Sequence, residues 1–242
     1  MEHSHDGQGH DSLAARLAAV QQEIVAACQR VARDPADVTL IAVSKTFSWE
    51  EILPAYRLGI RHFGENYMQD ALQKISLSAT YPDLCWHFIG HLQRNKVRFW
   101  SSRFHLFHCL DSVALARLLQ KKAEQDQVVT SVLLQVKLGD EVSKSGVLPA
   151  ELPFFMEELA GFPRLSVGGL MTIPPFTVDP EQGRAYYQQL RNLRDRLVAR
   201  GLADQRVFRH LSMGMSHDFV VAVEEGATMV RVGSAIFGPR QR

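Results

Sequence analysis

The sequence predicts an α/β fold, a single (β/α)8 TIM barrel with an extra helix at its N-terminal end. Short apolar runs rich in β-branched residues alternate with helix-like segments, and eight such runs can be counted. The connections are short, and no Pro- or Ser-rich linker divides the chain. This alternation is typical of a barrel of parallel strands. A doubly wound open sheet is the alternative, because a strand count taken from sequence is easily wrong by about one or two.

Composition narrows the class of protein. The chain has 242 residues, a length that allows one large barrel or two small domains. It is 46% hydrophobic and 22% charged, which suits a globular protein with a large core. With 27 Lys and Arg against 26 Asp and Glu, the net charge of +1 favours neither nucleic acid nor an anionic membrane as a partner.

The sequence also predicts a cytoplasmic location. Three scattered cysteines with no CxxC pair suit a reducing compartment. No apolar run approaches the ~20 residues of a membrane span, and the N-terminus lacks the basic and apolar regions of a secretory signal. Residues 1–11, which include His3, His5 and His10, are expected to be a disordered polar tail, and residues 12–242 to form the barrel.

The first helix and the first strand have the clearest patterns. Residues 13–33 follow a capping residue at position 11 or 12 and carry apolar side chains three and four apart, which predicts an amphipathic helix. Residues 38–47, VTLIAVSKTF, are apolar and β-branched up to Ser44, which predicts a buried strand. Lys45 directly follows this strand.

The same alternation continues to the end of the barrel. The later strands are expected at residues 60–63, 86–89, 104–109, 130–136, 165–170, 207–211 and 228–232. The later helices are expected at residues 49–59, 67–76, around 92–100, and at 113–125, 149–160, 179–199 and 218–225. In the helix at 179–199, Tyr186, Leu190, Leu193 and Leu197 are expected to share one face.

Polar residues and glycines recur just after the predicted strands, where a barrel gathers its ligands. They are Lys45, Glu65, Asn66, Gly90, His91, Asp111, Ser112, Lys137, Thr172, the run 212–216 and the run 231–234. Each residue alone would be read as a turn or cap residue. Together they predict a binding site at the carboxyl ends of the strands.

Two of these loops favour a phosphate. Residues 212–216, SMGMS, supply two hydroxyls and a glycine, and Gly233 and Ser234 precede a short terminal turn. Barrels commonly bind phosphate with the loops after strands seven and eight, where backbone N–H groups are accessible. We therefore expect a phosphorylated ligand, with Lys45 across the cavity from its phosphate.

A lysine amine in such a site suggests a Schiff base with a carbonyl compound, either a sugar phosphate or pyridoxal phosphate (PLP). An aldolase would need acid–base carboxylates or a second lysine near the amine, and none is obvious next to Lys45. Arg231 precedes the phosphate loop and could lie beside the pyridine nitrogen of PLP, keeping it unprotonated. A surface ion pair is the alternative for Arg231.

Six motifs resemble the YggS/PROSC family of pyridoxal-phosphate homeostasis proteins. They are LIAVSKTF, RHFGENYMQDALQK, WHFIGHLQRNK, DEVSKSG, GLMTIPP and LSMGMSHDF…EEGATMVRVGSAIFGPR, in the order of the family from about Leu13 to Arg240. The resemblance implies a barrel like the N-terminal domain of alanine racemase, a fold-type III PLP protein. It also implies PLP as the cofactor, bound as a Schiff base on Lys45.

The motifs also carry over individual roles. The resemblance implies that Asn66 lies near the ring and that Arg231 meets the pyridine nitrogen. It implies that Ser212, Gly233 and Ser234 hold the phosphate. Met213 and Ser216 are weaker candidates for the phosphate end, and Lys144 matches a second family lysine, for which we expect a peripheral role in cofactor exchange.

The resemblance further implies a carrier of PLP without turnover, acting in storage or delivery to PLP-dependent apoenzymes. A racemase needs one base on each face of the substrate α-carbon, and the segment after the eighth strand is expected to be too short to supply a second base. The alternative is a weak PLP-dependent amino-acid racemase, and a sugar-phosphate-binding barrel without PLP is disfavoured. No metal site is expected. We also expect a monomer.

Overall fold

The computed structural model describes residues 12–139 and 145–239, and it contains a closed barrel of eight parallel strands. Strand order follows chain order, and the barrel closes where the first strand pairs with the last. The predicted (β/α)8 barrel is therefore confirmed, and the open sheet is excluded. The predicted tail at residues 1–11 and Lys144 lie outside the described residues.

The strands are short, as expected for a barrel with helices outside it. They are β1 Thr39–Val43, β2 His62–Glu65, β3 Cys85–Phe88, β4 Phe104–Leu110, β5 Thr130–Gln135, β6 Leu165–Met171, β7 His210–Met215 and β8 Met229–Val232. The helices are α1 Leu13–Arg30, α2 Trp49–Arg57, α3 Met68–Leu77, α4 Val113–Gln125, α5 Leu152–Leu159, α6 Arg184–Ala199, α7 Phe219–Glu224 and α8 Ser234–Phe237.

Helix α1 is the predicted extra helix. The Ser12 hydroxyl caps it by accepting a hydrogen bond from the Ala15 N–H at 3.2 Å. Its apolar face is buried, and Arg16 donates from Nε to the Ile236 carbonyl in α8 at 2.8 Å. Helix α1 therefore packs beside the last elements of the chain and supports the β1–β8 side of the barrel.

The prediction for the seventh strand was wrong. Strand β7 begins at His210 instead of residue 207 and runs through Met215, so most of SMGMS lies in a strand and not in a loop. The hydropathy pattern did not predict that the strand continues through residues 212–215, because Ser212 is a polar residue whose hydroxyl is hydrogen-bonded inside the barrel.

Three helix predictions also needed correction. The segment after β3 is a 3-10 helix, Arg94–Phe99. The helix expected at 149–160 begins at Leu152, with Pro153 in its first turn, where a missing N–H costs least. The helix expected at 179–199 starts as a 3-10 helix at Pro180–Gly183 before α6, and α6 buries Tyr187 where Tyr186 was expected.

The interior of the barrel contains a set of buried polar side chains. Fully or almost fully buried polar side chains come from seven of the strands or their ends: Ser44, Glu65, His87, His108, Thr172, Ser212 and Arg231. Buried polar groups need hydrogen-bond partners, so these residues define a network around which the site is built. No helix in residues 12–139 and 145–239 has the length and apolar character needed to cross a membrane.

Candidate functional site

Lys45 lies in a tight turn at the carboxyl end of β1. The Phe47 N–H donates to the Ser44 carbonyl at 3.2 Å, and Thr46 between them has a φ of 74°. A positive φ is strained for a β-branched residue and is found mainly where the surroundings enforce it. Helix α2 begins directly after the turn. The half-buried Lys45 is therefore held on a fixed backbone.

A buried ion pair supports this turn, and the sequence reasoning did not find it. Lys74 Nζ lies 2.7 Å from Glu65 Oε1 and donates to the Ser44 carbonyl at 2.8 Å. The Ser44 hydroxyl donates to Glu65 Oε1 at 2.6 Å. Burial raises the pKa of Glu65, and the neighbouring Lys74 ammonium opposes that shift. The pair fixes the residue immediately before Lys45.

Asn66 follows β2 and faces a cavity of about 270 Å³ at the mouth of the barrel. Its side-chain Oδ1 is buried with no hydrogen-bond partner in the structure. The backbone of Asn66 packs against Gly90, where an added Cβ would lie only 2.3 Å from the Asn66 carbonyl oxygen. Glycine at the end of β3 is therefore required for this close approach, and Asn66 offers an unused polar atom to a ligand.

The loop after β8 lies against the end of β1. A Cβ on Gly233 would be 3.3 Å from Val43 Cβ, and Val43 lies two residues before Lys45 in the chain. The Gly233 N–H donates to the Ser216 hydroxyl at 3.0 Å, and the Ala235 N–H lies 3.4 Å from the same oxygen. Ser234 is the first residue of α8. Gly233, Ser234 and Ser216 are thus brought together, and Gly233 lies against the end of β1, which Lys45 follows.

Arg231 is buried, with 4% of its surface exposed, so the surface ion pair is excluded. It donates from Nη1 to the Ser212 hydroxyl at 2.6 Å and from Nη2 to the Thr172 carbonyl at 2.9 Å. No carboxylate among the described residues forms a salt bridge with it. Burial lowers the pKa of Arg231, yet guanidinium stays charged in proteins. A buried cation therefore lies at the level of Ile41, its register partner in β1.

Ser212 and Met213, both expected at the phosphate end, are fully buried. The Ser212 hydroxyl is fully buried and shared between Arg231 and His108. Met213 is fully buried in the hydrophobic core. The structure thus brings Lys45, Asn66, Arg231, Gly233 and Ser234 to one end of the barrel, with Ser212 behind Arg231 and Met213 in the core.

Two further groups were missed from sequence. The pairing of Glu65 with Lys74 could have been suspected, because Lys74 falls on the apolar face of α3 beside Ala71 and Ile75. The interior histidines His87 and His108 gave no such signal, because their partners come from other strands.

Comparison with known proteins first gives the class. The family model described as alanine racemase, N-terminal domain, matches residues 16–241. An alanine racemase of Clostridium difficile 630, at 15% identity and a TM-score of 0.65, covers 92% of this chain and 60% of its own, and this likeness shows the fold alone. The barrel is therefore of the alanine racemase N-terminal-domain type.

Closer relatives then give the family. A pyridoxal phosphate homeostasis protein of Aquifex aeolicus (strain VF5) is 43% identical over 230 residues, which cover 93% of this chain and 97% of the relative. The solved structure of PipY from Synechococcus elongatus PCC7942, with PLP bound, matches at 36% identity and a TM-score of 0.78, over 94% of this chain and 100% of that one. The chain belongs to the family of pyridoxal phosphate homeostasis proteins.

Proposed function

We propose that this protein binds PLP as a Schiff base on Lys45 and holds it for intracellular PLP homeostasis, by storage and by delivery to apoenzymes. The observation that carries the proposal is the junction of β1 and β8. There Lys45, the Gly233–Ser234 loop and the buried Arg231 come from neighbouring strands. PipY, a relative of known structure, has PLP bound.

The residues present fit such a cofactor. Gly233 has no side chain to block a phosphate, and the Ser216 hydroxyl, which accepts from the Gly233 N–H, would have its own proton to donate to one. Arg231 supplies a positive charge that cannot accept a proton, which suits an unprotonated pyridine nitrogen. The unpartnered Asn66 Oδ1, at the end of the β2 strand that pairs with β1, supplies a further polar contact. PLP would bring an aldehyde, which joins an amine with loss of one water.

The remaining candidates take supporting roles in this proposal. Ser212 acts behind Arg231 by accepting its Nη1–H, and Met213 supports β7 from the core. Ser216 is the hydroxyl that organises the phosphate loop. The half-buried lysine turn and the open cavity beside Asn66 leave the mouth accessible to an incoming amine.

Trapping with borohydride tests the proposed attachment. Protein purified with PLP should absorb visible light, and reduction should fix the cofactor to the peptide that contains Lys45, as measured by mass spectrometry. Lys45→Ala should lose both signals, because the amine that holds the aldehyde is gone. Lys121→Ala, a change at an exposed lysine on α4, is the control and should keep both. Visible absorbance retained by Lys45→Ala would show that another lysine binds PLP.

Storage and delivery are tested by transfer. PLP-loaded protein is mixed with several PLP-dependent apoenzymes, and their recovered activity is compared with that given by free PLP at the same concentration. A carrier should restore activity at least as well as free PLP and should show no amino-acid racemisation of its own. Turnover at an ordinary enzymatic rate would favour the weak racemase instead.

The proposal has two further parts, the location of the protein and its oligomeric state. We place the protein in the cytoplasm, in keeping with its free cysteines Cys28, Cys85 and Cys109. We also propose that it acts as a monomer, which light scattering would test.

A further inference from the structure

A chain of hydrogen-bonded side chains crosses the inside of the barrel and ends on Arg231. His62 Nδ1 lies 2.9 Å from His87 Nε2, and His87 Nδ1 lies 2.8 Å from His108 Nε2. His108 Nδ1 lies 2.9 Å from the Ser212 hydroxyl, which also accepts from Arg231 at 2.6 Å. The three histidines come from β2, β3 and β4, and we call them the histidine chain. His87 and His108 are fully buried, and His62 is half-buried at the start of β2.

The arginine fixes the direction of every bond in this chain. Arg231 can only donate, so the Ser212 oxygen accepts from it. The Ser212 proton is fully buried and needs an acceptor of its own, and His108 Nδ1 is the ring nitrogen within reach, so the hydroxyl donates to it. His108 then carries its proton on Nε2 and donates to His87 Nδ1. By the same rule His87 donates from Nε2 to His62 Nδ1. All ring nitrogens that face one another are thereby satisfied, with each imidazole neutral.

We propose that the histidine chain positions Arg231 for the cofactor and makes retention of PLP depend on the protonation of His62, at the other end of the chain. This inference rests on the proposed function, since Arg231 is assigned there to the pyridine nitrogen. His62, His87 and His108 are positioning residues that act through Ser212 and do not touch the cofactor.

Protonation of His62 conflicts with the direction of the chain. A protonated His62 has an N–H on Nδ1 and can no longer accept from His87. If His87 and His108 reverse to compensate, two donors, from His108 and Arg231, meet on the Ser212 oxygen. The Ser212 hydroxyl proton then has no partner in a fully buried position, which is costly. Protonation of His62 therefore weakens the hydrogen bonding by which Ser212 positions Arg231.

The surroundings keep the chain neutral near neutral pH. Burial lowers the pKa of each histidine in the chain, and His105, whose ring centroid lies 5.9 Å from His62, adds to the effect on His62. From the other strands, His210 on β7 and Arg231 on β8 face the histidine chain. The titratable groups near Arg231 are Cys109, Tyr187 and Asp218. No described carboxylate is hydrogen-bonded to the three rings.

The test compares His62→Phe with His62→Gln in the full chain. His62→Phe removes the acceptor that His87 needs, so PLP should dissociate about tenfold faster. His62→Gln keeps an acceptor oxygen and should stay within about twofold of the unmodified protein. His105→Phe is the matched control, because His105 contacts the same rings outside the hydrogen-bonded chain. It should also stay within about twofold.

The pH dependence and the tautomers give two further readouts. Burial lowers the pKa of His62, so dissociation of PLP from the unmodified protein should accelerate as pH falls below the ordinary histidine pKa, and this acceleration should be absent in His62→Phe. In protein without PLP, nitrogen NMR should find His87 and His108 as Nε2–H tautomers.

Three results would separate the possible failures. If Lys45→Ala binds PLP as well as the unmodified protein does, the proposed function is wrong. If PLP binds through Lys45 but His62→Phe matches His105→Phe in rate and pH profile, the positioning role is overturned. An Nδ1–H tautomer at His108 would overturn the direction of the chain, and this holds even if the variants fail to fold.

Discussion

At the scale of single residues, the buried Glu65–Lys74 pair carries the largest consequence for the turn that presents Lys45. Lys74→Met would leave the Glu65 carboxylate buried without its cation, and breaking such a pair typically costs about 3–5 kcal/mol of unfolding free energy. The same change removes the hydrogen bond to the Ser44 carbonyl, so PLP binding should weaken as well. Urea unfolding with and without PLP measures both effects.

Two comparisons give this prediction its control. Lys122→Met removes a more exposed ion pair with Asp126 on α4 and should cost less than about 1 kcal/mol. Adding Glu65→Gln to Lys74→Met should recover part of the loss, because the buried charge is removed. If the two single Lys→Met changes cost the same, the buried pair does not have the proposed role.

At the scale of elements, the start of α2 links helix stability to the site. Ser48 forms a capping box with Glu51 just after the Lys45 turn, and Ser112 caps α4 with a hydrogen bond of the same length, 3.3 Å. Ser48→Ala and Ser112→Ala should each cost about 1 kcal/mol of unfolding free energy. Only Ser48→Ala should also weaken PLP binding, because it releases the turn. Equal PLP affinities for the two variants would contradict this link.

At the scale of the whole molecule, the interior histidines make stability depend on pH. Burial lowers the pKa of His62, His87, His105 and His108, and that of His210 to about 4. At pH values between these lowered pKa values and the ordinary histidine pKa near 6.5, the unfolded chain binds more protons than the folded protein does. Stability should therefore fall as pH decreases from about 7 to about 4. Glu65, whose pKa is raised, acts in the opposite direction but is a single group.

Urea unfolding across this pH range measures the effect, and a buffer series at constant ionic strength is needed. His87→Gln should flatten the profile, because one titrating ring is removed from the interior. A midpoint that is unchanged between about pH 7 and about pH 5 would show that the interior histidines keep the same proton affinity on unfolding.

Much of this molecule is predictable from sequence because the barrel repeats a simple pattern. The pattern of apolar strands followed by polar residues is enough to place Lys45, Gly233 and Arg231 at one end of the barrel. The end of β7 was placed too early, at residue 211, because Ser212 is polar yet lies inside the barrel. Hydropathy assigns such residues to loops, since it does not record hydrogen bonds made across the interior.

The polar interior could not be predicted for a related reason. The members of the histidine chain lie on three different strands, far apart in sequence, and each resembles an ordinary strand residue. Their relation depends on strand register and on which side chains point inward. The Glu65–Lys74 pair was closer to prediction, because its two residues are nine positions apart and lie on successive elements.

The pairing of β1 with β8 also determines when the site can form. Lys45 lies just after the first strand to be synthesised, whereas Arg231 lies on the last strand and Gly233 just after it. During synthesis on the ribosome, nearly the whole barrel must emerge after Lys45 before Arg231 and Gly233 are present. PLP capture through the proposed site is therefore a late event in biogenesis, which follows closure of the barrel and cannot guide its earlier folding.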